Sequence, residues 1–93
     1  MAQTTILAAG NTEAESTEIA VAAGASITVG IFAAAGPIPA TAVGTVKQST
    51  PGAKNPIVQL TNYKPSEVLV GPGTYTVKRR AHEGAAVGVF IED

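Results

Sequence analysis

Gly71-Pro72-Gly73-Thr74-Tyr75-Thr76-Val77 joins a tight turn to a strand, and the reading of this stretch decides the reading of the chain. Pro72 presets φ for the first central position of a β-turn, and Gly73 accepts the positive φ that a type II turn requires next. From there Tyr75, Val77 and Arg79 point to one side, and Thr74, Thr76, Lys78 and Arg80 to the other, with the period of a strand. A Tyr two residues beyond such a turn buries its ring in a sandwich core and returns its hydroxyl to nearby backbone, the logic of the tyrosine corner in immunoglobulin-like sandwiches. Gly71, Pro72, Gly73 and Tyr75 are therefore assigned to turn and core rather than to chemistry.

Short apolar runs separated by Gly, Pro, Asn and Ser extend this pattern in both directions. Gln3-Thr4-Thr5-Ile6-Leu7 is a first strand, or an arm that becomes a strand on a partner, and Ala8-Ala9-Gly10 ends it. Asn11 to Thr17 reads as an acidic loop: Thr12 and Glu15 have capping-box spacing, but no helical run follows. Ile19 to Ala22 is a short strand, and Ala25 to Ala34 the longest, with Ile27, Val29, Ile31 and Ala33 inward. Phe32 falls on its opposite face, covered by a neighbouring loop, exposed there, or covered by a neighbouring subunit. Further strands are expected at Val43 to Ser49, Ile57 to Leu60, Val68 to Val70, the Tyr75 segment and Ala86 to Ile91, with Thr50 to Pro56 as a turn. Ala-Ala-Gly at 8–10, 22–24 and 34–36 is read as a reused strand terminator. The sum is an all-β fold: a small antiparallel β-sandwich or barrel, immunoglobulin-like or jelly-roll-like, of about eight short strands in a single domain spanning 1–93.

Composition narrows the function classes. The chain has 93 residues, 45% hydrophobic but only 4% aromatic, so its core is built from Ala, Val and Ile. A domain of this size is modestly stable alone and gains from association. The net charge of -1 excludes bulk electrostatic binding of a polyanion. With no Cys there is no disulfide framework and no thiolate metal site. Met1-Ala2-Gln3-Thr4 lacks the basic start of a secretory signal, so synthesis in a cytoplasm is expected. Ile19 to Val46 carries no charge and is long enough to span a bilayer, but its glycines, prolines and alternating Ile27, Val29 and Ile31 fit strands better.

The supply of catalytic groups is small. His82 is the only histidine, which excludes multi-histidine metal sites and leaves a triad only Asp93 or a Glu as third member. Glu13, Glu15 and Glu18 lack the ligand spacing of a calcium loop. Lys78-Arg79-Arg80 with His82 is the one basic concentration, but strand alternation splits it between faces and no aromatic residue interleaves it for base stacking. A rim patch meeting an acidic protein surface, or a solvated strand end, remains for it. Gly10 and Gly71-Pro72-Gly73 are turn glycines, with no helix after them to hold phosphate. No enzyme activity, metal, cofactor, nucleic acid or membrane partner is expected.

Gln3-Thr4-Thr5-Ile6-Leu7-Ala8-Ala9-Gly10, Val29-Gly30-Ile31-Phe32, Thr50-Pro51-Gly52-Ala53, Gly71-Pro72-Gly73-Thr74-Tyr75 and Val87-Gly88-Val89-Phe90 are phrases in which the chain resembles small β-structured virion proteins of tailed bacteriophages. The resemblance implies a capsid decoration (cement) protein or a related head or fibre component, present in many copies on the virion surface. The implied partners are the major capsid protein and copies of this chain in a homo-oligomer. Gln3, Thr4, Thr5, Ile6 and Leu7 are the candidate contact, since an added strand satisfies the edge hydrogen bonds of both partners. The alternative is a receptor- or glycan-binding module of a fibre or adhesin, with Tyr63 or Tyr75 in a concave patch.

Overall fold

A computed structural model describes residues 3–93. Among the described residues nine strands follow one another without a helix: β1 (Gln3–Gly10), β2 (Ala14–Glu15), β3 (Ile19–Val21), β4 (Ser26–Ala33), β5 (Gly44–Thr50), β6 (Ala53–Leu60), β7 (Ser66–Val70), β8 (Gly73–Arg79) and β9 (Val87–Glu92). They form two antiparallel sheets. The first has the order β1-β9-β4-β7; the second has the order β2-β8-β5-β6, with β3 also paired to β8. The molecule is an all-β sandwich, and the uncharged stretch from Ile19 to Val46 is divided among β3, β4 and β5. No helix among the described residues is long and apolar enough to cross a membrane.

Alternation places the core between the sheets. Val29, Ile31, Leu69, Val87 and Val89 come from the first sheet; Ile19, Val21, Val46, Leu60, Tyr75 and Val77 come from the second. Leu60 is the largest side chain that is fully enclosed. Each such burial stabilises the fold by roughly 1.5–3 kcal/mol. With no Trp or Met in this cluster, shape matching among branched aliphatics carries the packing.

The structure departs from the sequence reading at four places. The Gly71–Pro72 peptide is cis, and Gly73 does not adopt positive φ, so the expected type II turn is absent. Gly71 is required instead for close approach: a Cβ there would overlap the Ala22 carbonyl, and its N–H donates to Ala25 O at 3.0 Å. The Thr50 to Pro56 turn contracts to Pro51-Gly52, with Gly52 at φ 93°, and Lys54, Asn55 and Pro56 belong to β6. Pro56 is accommodated because β6 is an edge strand and its register with β5 shifts at Ile57. In the acidic loop, Ala14 and Glu15 pair with Arg79 and Lys78 as β2. Of the three Ala-Ala-Gly segments, Gly24 and Gly36 end strands at positive φ, whereas Ala8-Ala9-Gly10 continues β1.

Candidate functional site

Strand β8 positions most of the polar chemistry. On its inner face Tyr75 is buried, and its hydroxyl donates to Val70 O at 2.7 Å, across the Gly71-Pro72-Gly73 turn. At the other end Arg79 is 5% exposed. Its Nε donates to Thr12 O at 2.7 Å, and its Nη1 to Ala8 O and Val87 O, both at 2.8 Å. No carboxylate among the described residues forms an ion pair with it. A buried guanidinium is held here by carbonyl dipoles from β1, β9 and the loop after β1, which ties the two sheets together. Gly10 leaves the space it fills, since a Cβ there would stand 2.9 Å from Arg79 Nη2. Gly10 is therefore a packing glycine rather than the expected turn glycine. Between the two clamps Ser16 joins the β8 ladder, its N–H donating to Val77 O at 2.8 Å and its Oγ accepting from Val77 N at 2.9 Å.

His82 lies in the loop between β8 and β9. Its N–H donates to Asn11 O at 2.9 Å, and its Nε2 bonds Ala85 O at 3.0 Å. With its backbone and ring both bonded to neighbouring loop atoms, His82 clasps the loop between β8 and β9. Among the described residues no three His, Cys, Asp or Glu side chains cluster as a metal site would require.

The outer face of the β8 sheet is charged. Lys47, Lys78 and Arg80 line a shallow depression of about 290 Å³ with Glu13, Pro56 and Gln59. Arg79 is absent from it because alternation turns that side chain inward. Lys78 Nζ is 3.3 Å from Glu13, and Lys54 Nζ is 3.6 Å from Glu15. Thr76 Oγ1 donates to Glu15 Oε2 at 2.9 Å; this bond, with the fields of Lys54 and Lys47, holds the Glu15 carboxyl below its ordinary 4.5 against partial desolvation.

The outer face of the β1-β9-β4-β7 sheet is different in kind. Val68 and Val70 on β7 are 57% and 62% exposed. Register puts Ser26, Thr28, Gly30 and Phe32 of β4, and Gly88, Phe90 and Glu92 of β9, on the same side. Phe32 lies over Gly88 and Phe90 over Gly30, with ring atoms 2.6 Å from where either glycine would carry a Cβ. The ring centroids are 6.3 Å apart and tilted by 54°. Phe32 is thus covered by the facing strand's phenyl and glycine rather than by a loop. A shallow groove of about 460 Å³ runs beside the rings, lined by Gln3, Thr5, Phe32 and Phe90. Glu92 is the one ionisable strand residue on this face, and no Lys or Arg stands on it.

Of the N-terminal candidates, Gln3, Thr4, Thr5, Ile6 and Leu7 lie in β1, paired to β9 with register shifts around Ile6 and beyond Leu7. Met1 and Ala2, the start of the expected 1–7 arm, lie outside the described residues. β1 is an edge strand, so its second side is open. Tyr63 is 91% exposed on the turn before β7, far from the core position of Tyr75. Sequence reasoning missed the Phe32/Phe90 pair and the Arg79 clamp, because each joins residues distant in the chain. The alternation of Phe90 with Gly88, and of Phe32 with Gly30, is the signal from which the pair was recoverable. Compared with protein-family models, curated proteins and solved structures, the chain matches none.

Proposed function

We propose that the protein is a structural virion protein of a tailed bacteriophage, a capsid decoration protein that attaches to the assembled head, together with copies of itself, through the outer face of the β1-β9-β4-β7 sheet. The observation that carries this reading is the sparsely charged face itself, with Glu92 its one ionisable strand residue and Val68 and Val70 exposed beside the half-buried Phe32 and Phe90. Exposed branched aliphatics on a face without Lys or Arg favour removal from water against a partner. The open edge of β1 borders this face, so Gln3 to Leu7 reach the same contact by strand addition. The resemblance of the opening strand and the Val87-Gly88-Val89-Phe90 segment to phage virion proteins supports the choice of partner. The role proposed is binding rather than catalysis, because His82 is the only histidine and the chain has no Cys.

Quantitative mass spectrometry of purified virus particles against the major shell protein tests this. A simple integer ratio or fraction is expected, and Val68→Ser with Val70→Ser is expected to lose attachment while unfolding at nearly the wild-type temperature. A handful of copies per particle, or none, would sink the decoration reading. A glycan- or receptor-binding module would have to rest on Tyr63, because Tyr75 is closed inside the core.

A further inference from the structure

The depression on the outer face of the β8 sheet has a use that the apolar face does not supply. Three cations line it, contributed by adjacent strands and the residue following one of them: Lys47 from β5, Lys78 from β8 and Arg80 just beyond β8. Lys47 and Arg80 make no ion pair among the described residues, and Lys78 is paired only with Glu13. That pair is exposed, 42% on the lysine and 64% on the glutamate, so it contributes little to stability and exchanges readily for another carboxylate. Glu13 therefore occupies the place of an incoming acid.

We propose that this depression docks an extended acidic segment of a partner protein, with carboxylates at alternate positions. Lys78 and Arg80 are two residues apart, which along extended chain is about 6.6 Å, the repeat of alternate side chains on a facing extended peptide. Arg80 offers a planar fork suited to a carboxylate, and Lys47 on the neighbouring strand takes a further one. A nucleic acid fits this surface less well. Glu13 and Glu15 interrupt the positive field, and Thr45, Pro56 and Gln59 give the lining no aromatic platform for a base. The inference concerns a surface other than the apolar face and stands whether or not the virion reading holds.

The test is an amide-resolved NMR titration of the whole chain with an alternating Glu-Thr peptide, the matching Gln-Thr peptide, and a single-stranded oligonucleotide of equal charge. Saturable shifts are expected at Thr45, Lys47, Lys78 and Arg80 with the Glu-Thr peptide only, weakening steeply as salt rises to about 0.15 M. Lys47→Glu and Arg80→Glu should each weaken binding roughly tenfold or more, and Lys64→Glu, which does not line the depression, should leave it unchanged. Thermal unfolding checks that each variant is folded. Equal binding of the Gln-Thr peptide, tighter binding of the oligonucleotide, or no shift at these amides with millimolar Glu-Thr peptide would overturn the proposal.

Discussion

Tyr75 and Arg79 stand on the same inner face of β8, and both close the core by donating to backbone carbonyls, yet they do so over different distances in the chain. Tyr75 reaches Val70, five residues back across one turn. Arg79 reaches Thr12, Ala8 and Val87, two of them more than 60 residues away, and so holds both sheets at once. A neutral hydroxyl with a local partner fastens a corner. A buried cation with three carbonyls fastens the sandwich, because removing it orphans the buried Val87 acceptor and unties the part-buried Ala8 and Thr12 ones.

Arg79→Met breaks the comparison at its heavier end. It keeps an apolar stem of similar reach but removes every donor, and the unfolding free energy should fall by about 2–4 kcal/mol, with β1 and β9 amides losing hydrogen-exchange protection first. A loss below about 0.5 kcal/mol in chemical denaturation would show that the clamp is redundant. Tyr75→Phe leaves the ring in place and orphans one carbonyl, so its cost should be smaller, about 1–2 kcal/mol, with altered exchange confined to β7, β8 and their turn. If its effect spread to β1, the corner would not be local.

The smallest effect belongs to the outer side of the same strand. Glu15 is ionised more readily in the fold than unfolded, so its stabilising contribution is complete above pH 4.5 and is lost as pH falls below that value through the lower folded value. Glu15→Gln should therefore lower stability slightly at neutral pH and leave it nearly unchanged well below pH 4.5, which flattens the acid limb, as denaturation midpoints across that range would record. Thr76→Val should do the same, since Thr76 supplies the main hydrogen bond. An unaltered acid limb in both variants would assign the acid response to other carboxylates.

Local signals carried the strand positions. Ile27, Val29 and Ile31 alternate into the core, and the Tyr75 segment needs only its own turn to be read as an inward strand. Where signals conflicted, the sequence misled. Pro56 and Asn55 suggested a turn, but an edge strand with a register shift tolerates a residue that cannot donate. Ala8-Ala9-Gly10 matched the terminators at Gly24 and Gly36, yet Arg79 fills the space beside Gly10 and Ala8 O accepts its bond. Lys78-Arg79-Arg80 was legible as split between faces; that the inward member would be buried without a carboxylate was not.

The sequence by itself determined the fold class, the alternation of each strand and the scarcity of catalytic groups, because these depend on residue types and on a period of two. Only the tertiary structure decided which strands are neighbours. That placed Phe32 over Gly88, gathered Lys47 with Lys78 and Arg80, and brought the distant Thr12 and Ala8 carbonyls, with that of Val87, to Arg79. The physical reason is that pairing between strands far apart in the chain is settled by packing and hydrogen bonding of the whole sandwich, and no short segment contains that information.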